Sequence, residues 1–174
     1  MSGFVYIVAS AAPPVMRLVE FLDVLQHHGW RPGVILTPTA ATWIDTAPIE
    51  AATGLPVRVD KRLPGETDPF PRPDAMVAAP LTFNSLNKWA AGIGDTTAAG
   101  LLNESLGLDI PVIAAPLVSA KLRRHPAYQR SVDTLTSAGV TIMDPDIVTI
   151  RHPGGAHNAN WTDITTTLDQ STRR

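Results

Sequence analysis

Ala75–Ala91 reads AMVAAPLTFNSLNKWAA. Its opening, Ala75–Ala79, is a short apolar run of the length a buried strand uses. Pro80 punctuates it, and Thr82, Asn84 and Ser85 then supply the hydroxyl and amide groups that commonly open a helix. The spacing predicts a helix over Thr82–Ala91, a break at Gly92 and Gly94, and a second helix over Thr96–Leu106. One strand thus feeds one helix through a polar junction.

The same order of events recurs on either side. Phe4–Ala9, FVYIVA, reads as a strand and is followed by Ser10-Ala11-Ala12. Pro13 and Pro14 suit the first turn of a helix, whose N–H groups have no partner there. Val15, Leu18, Val19, Leu22 and Leu25 continue it at helical spacing, and Gly29 is its expected stop. Gly33–Leu36 reads as a second strand ending at Thr37-Pro38-Thr39, with a short helix at Ala40–Ile44 and a weaker strand at Pro56–Val59. Asp60–Pro73, with four prolines among charged residues, is a long connection of a kind often kept for function. Further strands are expected at Pro111–Ala115, Val140–Met143 and Ile147–Ile150. Helices are expected through Tyr128, Val132 and Leu135 up to Gly139, and at Trp161–Leu168.

Strands alternating with helices favour a parallel sheet covered on both faces. The expected fold is therefore α/β: a three-layer α/β/α sandwich of flavodoxin-like appearance, with residues 1–174 forming one domain. Ligands of such sheets sit beyond the carboxyl ends of the strands. That rule directs attention to Ser10–Pro14, Thr37–Ile44, Pro80–Asp95 and Pro116–His125.

Composition narrows the partners. The chain carries 14 basic and 16 acidic residues with no block of one sign, a poor match to nucleic acid or an anionic membrane. It has no cysteine, which excludes disulfides, thiolate metal sites and cysteine nucleophiles. No run reaches the roughly 18 apolar residues of a membrane span, and the start lacks the pattern of a signal peptide. A cytoplasmic protein is the expectation. His152 and His157 lack the further ligands that a metal site needs, so no metal is expected.

Ser10, Thr37, Thr39, Thr82, Asn84 and Ser85 all fall at strand ends. Free N–H groups and the positive dipole of a helix start suit a phosphate, and hydroxyls add donors. Such residues also serve as plain helix caps in any protein. Three such ends on one sheet edge favour a phosphorylated ligand. Neither a Walker loop nor a strand-linked GxGxxG is present, which disfavours nucleoside triphosphates and NAD.

Ala79–Asp95, APLTFNSLNKWAAGIGD, resembles the flavoprotein family that includes phosphopantothenoylcysteine decarboxylase and the lantibiotic peptidyl-cysteine decarboxylases. Those proteins carry Pro-Ala-Ser/Thr-Ala-Asn-Thr followed by Asn/Ala-Lys-x-Ala-x-Gly-Ile-x-Asp. This chain matches at Pro80, Thr82, Asn84, Asn87, Lys88, Ala90, Gly92, Ile93 and Asp95. It departs at Leu81 and Phe83, where small residues are usual, and at Ser85. A weaker likeness runs over Phe4–Pro145. The resemblance implies FMN as cofactor. It implies contacts from Ser10, Ala11, Thr37, Pro80, Thr82, Asn84 and Ala115, with Thr39 on the FMN phosphate and Trp43 against the flavin or ribityl. It further implies a homo-oligomer, a trimer or a dodecamer, with flavin at subunit contacts. Trp89, beside Ala90-Ala91-Gly92 and near Ala98, Ala99 and Gly100, reads as an aromatic anchor for such a contact, or else as a cap on the chain's own core.

Two positions differ from the family where its chemistry lies. Glu66 aligns with the decarboxylases' histidine and would be a base only if burial raised its pKa; the plainer reading is a surface glutamate. Ser119, in Pro116-Leu117-Val118-Ser119, replaces the asparagine that contacts the substrate carboxylate, and it lacks that amide donor. Residues 146–174 align with a substrate flap and a C-terminal helix, with Gly154 and Gly155 permitting motion. The expected function is an FMN-dependent oxidoreductase or oxidative decarboxylase-like enzyme acting on a small molecule or a peptide C-terminus. The alternative is a flavin-binding protein or assembly subunit without turnover.

Overall fold

The computed structural model describes residues 3–152 and 157–173. Five parallel strands form its main sheet in the order β2-β1-β3-β4-β5. They are β1 (Phe4–Ala9), β2 (Arg31–Leu36), β3 (Ala75–Leu81), β4 (Val112–Pro116) and β5 (Thr141–Ile142). Side chains alternate across a strand, and β1 shows the consequence. Val5, Ile7 and Ala9 enter one apolar cluster, while Phe4, Tyr6 and Val8 enter the other. Both faces of the sheet are therefore buried, and the strands read as nearly continuous apolar runs.

The first face is covered by α1 (Leu18–His27), entered through a 3-10 turn at Pro13–Arg17, and by α9 (Trp161–Ser171). Helix α1 buries Leu18, Phe21, Leu22 and Leu25 along one stripe, and Gly29, at φ 87°, turns the chain into β2. The rings of Phe21 and Trp161 stack with centroids 4.7 Å apart and fasten α9 to α1. The second face is covered by α4 (Phe83–Ala90), α5 (Thr97–Ser105) and α7 (Pro126–Ser137) through Leu86, Trp89, Ala98, Leu102, Tyr128 and Leu135. The three-layer α/β/α sandwich expected from the sequence is present.

Several local readings are revised. Pro56–Val59 is not a full strand: one parallel bridge joins Ile35 to Arg58, because Pro56 has no N–H and Arg58 alone exchanges bonds with Val34 and Leu36. The short helix after β2 is α2 (Pro38–Ala41), begun at Thr37 rather than Ala40. Two helices that periodicity is too short to reveal are α3 (Ala47–Thr53) and α6 (Ala120–Arg123). Ile147–Ile150 divides between α8 (Pro145–Val148) and β6 (Thr149–Arg151), the latter pairing antiparallel with β7 (His157–Ala159). Gly154 and Gly155 of the expected flap lie outside the described residues.

Trp89 requires the clearest correction. It is 1 % exposed and packs inside the second apolar cluster. Small residues around it in sequence do not display it, because α4 turns Leu86 and Trp89 together toward the sheet.

Candidate functional site

The carboxyl ends of β1, β2 and β3 meet at a groove of about 460 Å3. Ser10 and Ala11 follow β1, Thr37, Pro38 and Thr39 follow β2, and Thr82, Asn84, Ser85 and Lys88 come from the start and body of α4. Asp95, Thr96 and the first turns of α5 close the far wall. The backbone fixes this convergence: Ser10 N–H donates to the Pro80 carbonyl at 2.9 Å, and Thr37 N–H donates to the Ala9 carbonyl at 3.0 Å.

The hydroxyls divide into two kinds. Thr37, Thr82 and Thr96 cap their own helices, accepting from the N–H groups of Ala40, Ser85 and Ala99 at 3.3, 3.3 and 3.1 Å. Thr82 also donates to the Ser85 hydroxyl at 3.2 Å. Plain capping is thus real at these places. Ser10 is different. It is 1 % exposed, and its Oγ is buried with no hydrogen-bond partner. A buried hydroxyl is ordinarily paired, and this one, on a residue of the groove wall, has its bonding capacity free for a bound group. Asn84 and Thr39 also line the groove with polar side chains.

At one end Lys88 Nζ donates to Asp95 Oδ2 at 2.6 Å. That bond, with the charge of Lys88, holds the Asp95 carboxyl below its ordinary range. Gly92 lies between them at φ 70°, a conformation that a side chain would strain, and this lets α4 turn back so that the pair can close. Lys88, Asp95, Ser85 and Thr96 line the groove as well. In the sequence Ser85 is one of the strand-end hydroxyls and Lys88 and Asp95 stand within the family motif, but none of the four is given a cofactor contact there.

The remaining expected residues stand elsewhere. Pro80 contributes its carbonyl beneath the groove, not its ring to the wall. Ala115 is fully buried in the first apolar cluster and is not on the wall. Trp43 is 45 % exposed and follows α2 outside the groove. Glu66 is exposed in the proline-rich connection, where its carboxylate accepts the Leu63 N–H at 2.9 Å and its carbonyl accepts Arg62 Nη1 at 2.9 Å. Ser119 caps α6 at 3.4 Å and lines a smaller cavity with Pro13, Leu117, Asp146 and His157.

The groove therefore offers hydroxyl and amide donors from three strand ends and a cation at its rim. Such a set suits a ligand with a phosphate and many hydroxyls. The Flavoprotein family model matches residues 4–173.

The chain belongs to the Flavoprotein family. Flavin is the cofactor class that this family implies. Among curated Flavoprotein relatives, the chain is 31 % identical over 139 residues to the coenzyme A biosynthesis bifunctional protein CoaBC of Mycobacterium tuberculosis, covering 78 % of this chain and 32 % of that protein. It is 39 % identical over 72 residues to a cysteine/cysteine sulfinic acid decarboxylase from an unknown prokaryotic organism, covering 41 % of this chain and 19 % of that protein. The chain spans a third or less of the length of these relatives. Among solved structures, it superposes on TvaF, an FMN-dependent cysteine decarboxylase from thioviridamide biosynthesis, with a TM-score of 0.80 at 20 % identity over the whole of both chains. The FMN-binding protein AtHal3 gives a TM-score of 0.76 at 18 % identity, covering 98 % of this chain and 96 % of that one. These structural likenesses establish the fold. Among the described residues no helix is long and apolar enough to cross a membrane.

Proposed function

We propose that the groove binds FMN and that the chain is a flavin-dependent enzyme of the cysteine-decarboxylase kind. Its substrate would be a small molecule or a peptide C-terminus. One observation carries the reading: the buried, unpartnered Ser10 hydroxyl on a wall shared by Thr37, Thr39, Thr82 and Asn84. Ser10, Thr82 and Asn84 would hold the cofactor, and Thr39 would donate to its phosphate. Lys88, bonded to Asp95, would stand at the rim of the bound cofactor. A bound flavin supplies a two-electron acceptor for substrate oxidation, and the protein contributes orientation and exclusion of water. Relatives described as cysteine decarboxylases support this chemical class.

A second reading rests on its own observation. Glu66 is exposed and bonded within its own loop, and Ser119 lies in a separate cavity as a helix cap. Neither residue is arranged as a base or a carboxylate clamp at the groove of a single protomer. Flavin binding without turnover fits that geometry. Assembly into a homo-oligomer, a trimer or a dodecamer, is part of the first reading, since a neighbouring subunit would then complete the site. Trp89, buried in the second apolar cluster, offers no surface to such a contact.

Anaerobic mixing of the FMN-loaded chain with phosphopantothenoylcysteine and with a cysteine-ended peptide separates the readings. We expect little or no carbon dioxide from phosphopantothenoylcysteine, because neither a histidine nor an asparagine stands at the family positions. Bleaching of the flavin by the peptide supports the enzyme. An unchanged spectrum with both supports binding alone, and brisk carbon dioxide release from phosphopantothenoylcysteine overturns the assignment of Glu66 and Ser119 as functional departures.

A further inference from the structure

A second cavity of about 460 Å3 adjoins the groove, and Thr96 lines both. Its volume falls within the range of small-molecule sites. Tyr6 of β1 lies against it, Arg58 comes from the stretch bridged to β2, the proline-rich connection contributes Lys61, Arg62 and Asp68, and α5 contributes Thr97 and Glu104. Three cations thus face two carboxylates, and Glu104 is exposed at the margin.

The donors in this cavity are not fully used. Arg58 is 9 % exposed, and its ring-facing side lies 5.5 Å from the centroid of Phe70. Its Nη1 donates to both oxygens of Asp68 at 3.3 Å, longer than the roughly 2.7–2.9 Å of a tight charged pair. Asp68 is also shared with Arg62 Nη2 at 3.1 Å, so one carboxylate serves two guanidiniums. Arg58 Nε is buried without a partner. Thr97, 7 % exposed, lines the same cavity, and its hydroxyl is likewise buried without a partner. Tyr6 supplies no competing anion: burial first, then the Asp68 charge, raises its phenol above the ordinary value, and its OH donates to the Pro71 carbonyl at 3.1 Å. A guanidinium has only donors to offer, and the Nε–H that the Asp68 pairing leaves over suits a further acceptor oxygen, best a negatively charged one.

We propose that this cavity is an anion site for a small organic molecule presenting a carboxylate or phosphate group. Arg58 Nε–H and the Thr97 hydroxyl are its buried donors, and Lys61 is the cation at its mouth. The site does not depend on flavin in the neighbouring groove.

The test is a titration of the intact chain, as purified and again after addition of FMN, followed by nitrogen-15 NMR at the Arg58 Nε–H and the Thr97 amide. The probes are succinate and glycerophosphate, with sodium chloride at matched ionic strength as control. We expect saturable shifts at both signals with at least one probe and none with chloride, and the probe that saturates identifies the acid group. Lys61→Gln should weaken the binding about two- to fivefold, the scale of an exposed charge pair. Thr97→Val should weaken it in the same direction, and an unchanged melting temperature shows that each variant is folded. Absence of saturation, equal shifts with chloride, or shifts that follow protein concentration rather than probe would overturn the proposal. The last result would make the cavity a contact between copies of the chain. Failure of FMN to bind would leave these shifts unaffected, so the two readings fail separately.

Discussion

The N–H of Ser10 donates to the carbonyl of Pro80 at 2.9 Å, joining the end of β1 to the end of β3. This single bond makes the loop after the first strand and the Pro80–Asp95 motif two sides of one wall. The buried, unpartnered Ser10 hydroxyl lines that wall together with Thr82 and Asn84.

Ser10→Ala is therefore expected to leave stability nearly unchanged, since no hydrogen bond within the chain is lost. FMN affinity should fall by about 0.5–1.5 kcal/mol, the net worth of an ordinary hydrogen bond. Urea denaturation and flavin fluorescence titration read the two effects. A destabilised variant with unaltered affinity would place the hydroxyl outside the ligand site.

Thr82→Ala and Asn84→Ala should separate cap from ligand. Thr82 accepts from Ser85 N–H at the start of α4, so its loss should cost about 1 kcal/mol of stability as well as flavin affinity. Asn84 is exposed and caps nothing, so its loss should weaken flavin by about 1–3 kcal/mol and spare the fold. Denaturation curves that rank the two variants in the opposite order would contradict this division.

Trp89→Arg should unfold the protein rather than dissociate an assembly. Removing a buried tryptophan costs about 3–5 kcal/mol, and a buried unpaired charge adds to it. The indole is 1 % exposed among Leu86, Leu102 and Tyr128. Circular dichroism and light scattering together decide: a folded, smaller species of normal stability would show that Trp89 faces a partner.

Asp169 fastens the end of α9 to the start of β2. Its carboxylate accepts from Trp30 Nε1 at 2.8 Å and lies 2.7 Å from His28 Nδ1. Burial pushes its carboxyl up, but the bonds from Trp30 and His28 and the nearby charges of His28 and Arg173 outweigh burial and leave it below the ordinary range. A depressed carboxyl contributes stability above its unfolded value, about 3.9, and loses it as pH falls through the lower folded value. Asp169→Asn should thus be less stable than the parent at neutral pH, with the gap closing below about pH 4. A gap that stays constant down to the acid transition, measured by urea melts across pH, would exclude this linkage.

Much of the fold was legible because period and punctuation agreed. The apolar runs Phe4–Ala9 and Ala75–Ala79, each followed by a hydroxyl-bearing helix start, place both strands and the groove between them. What escaped the sequence depended on three dimensions. Helices α3 and α6 are too short to show a periodic face, and their prolines and caps resemble turn signals. Trp89 was misread because adjacent small residues in sequence lie on other sides of α4. Glu66 and Ser119 could be aligned with family positions, but alignment does not say where a loop directs its side chain. The Arg58 cluster was hidden by a proline-rich stretch whose residues meet Thr97 only through tertiary folding.

The groove of Ser10, Thr37, Thr39, Thr82 and Asn84 is expected to select a phosphorylated flavin. That selectivity is tested most directly by calorimetric titration of the intact chain with FMN and with riboflavin under the same conditions. Saturable FMN binding and much weaker binding of riboflavin are expected, because riboflavin gives Thr39 and the helix starts no phosphate to hold. No binding of FMN, or equal binding of riboflavin, would contradict it.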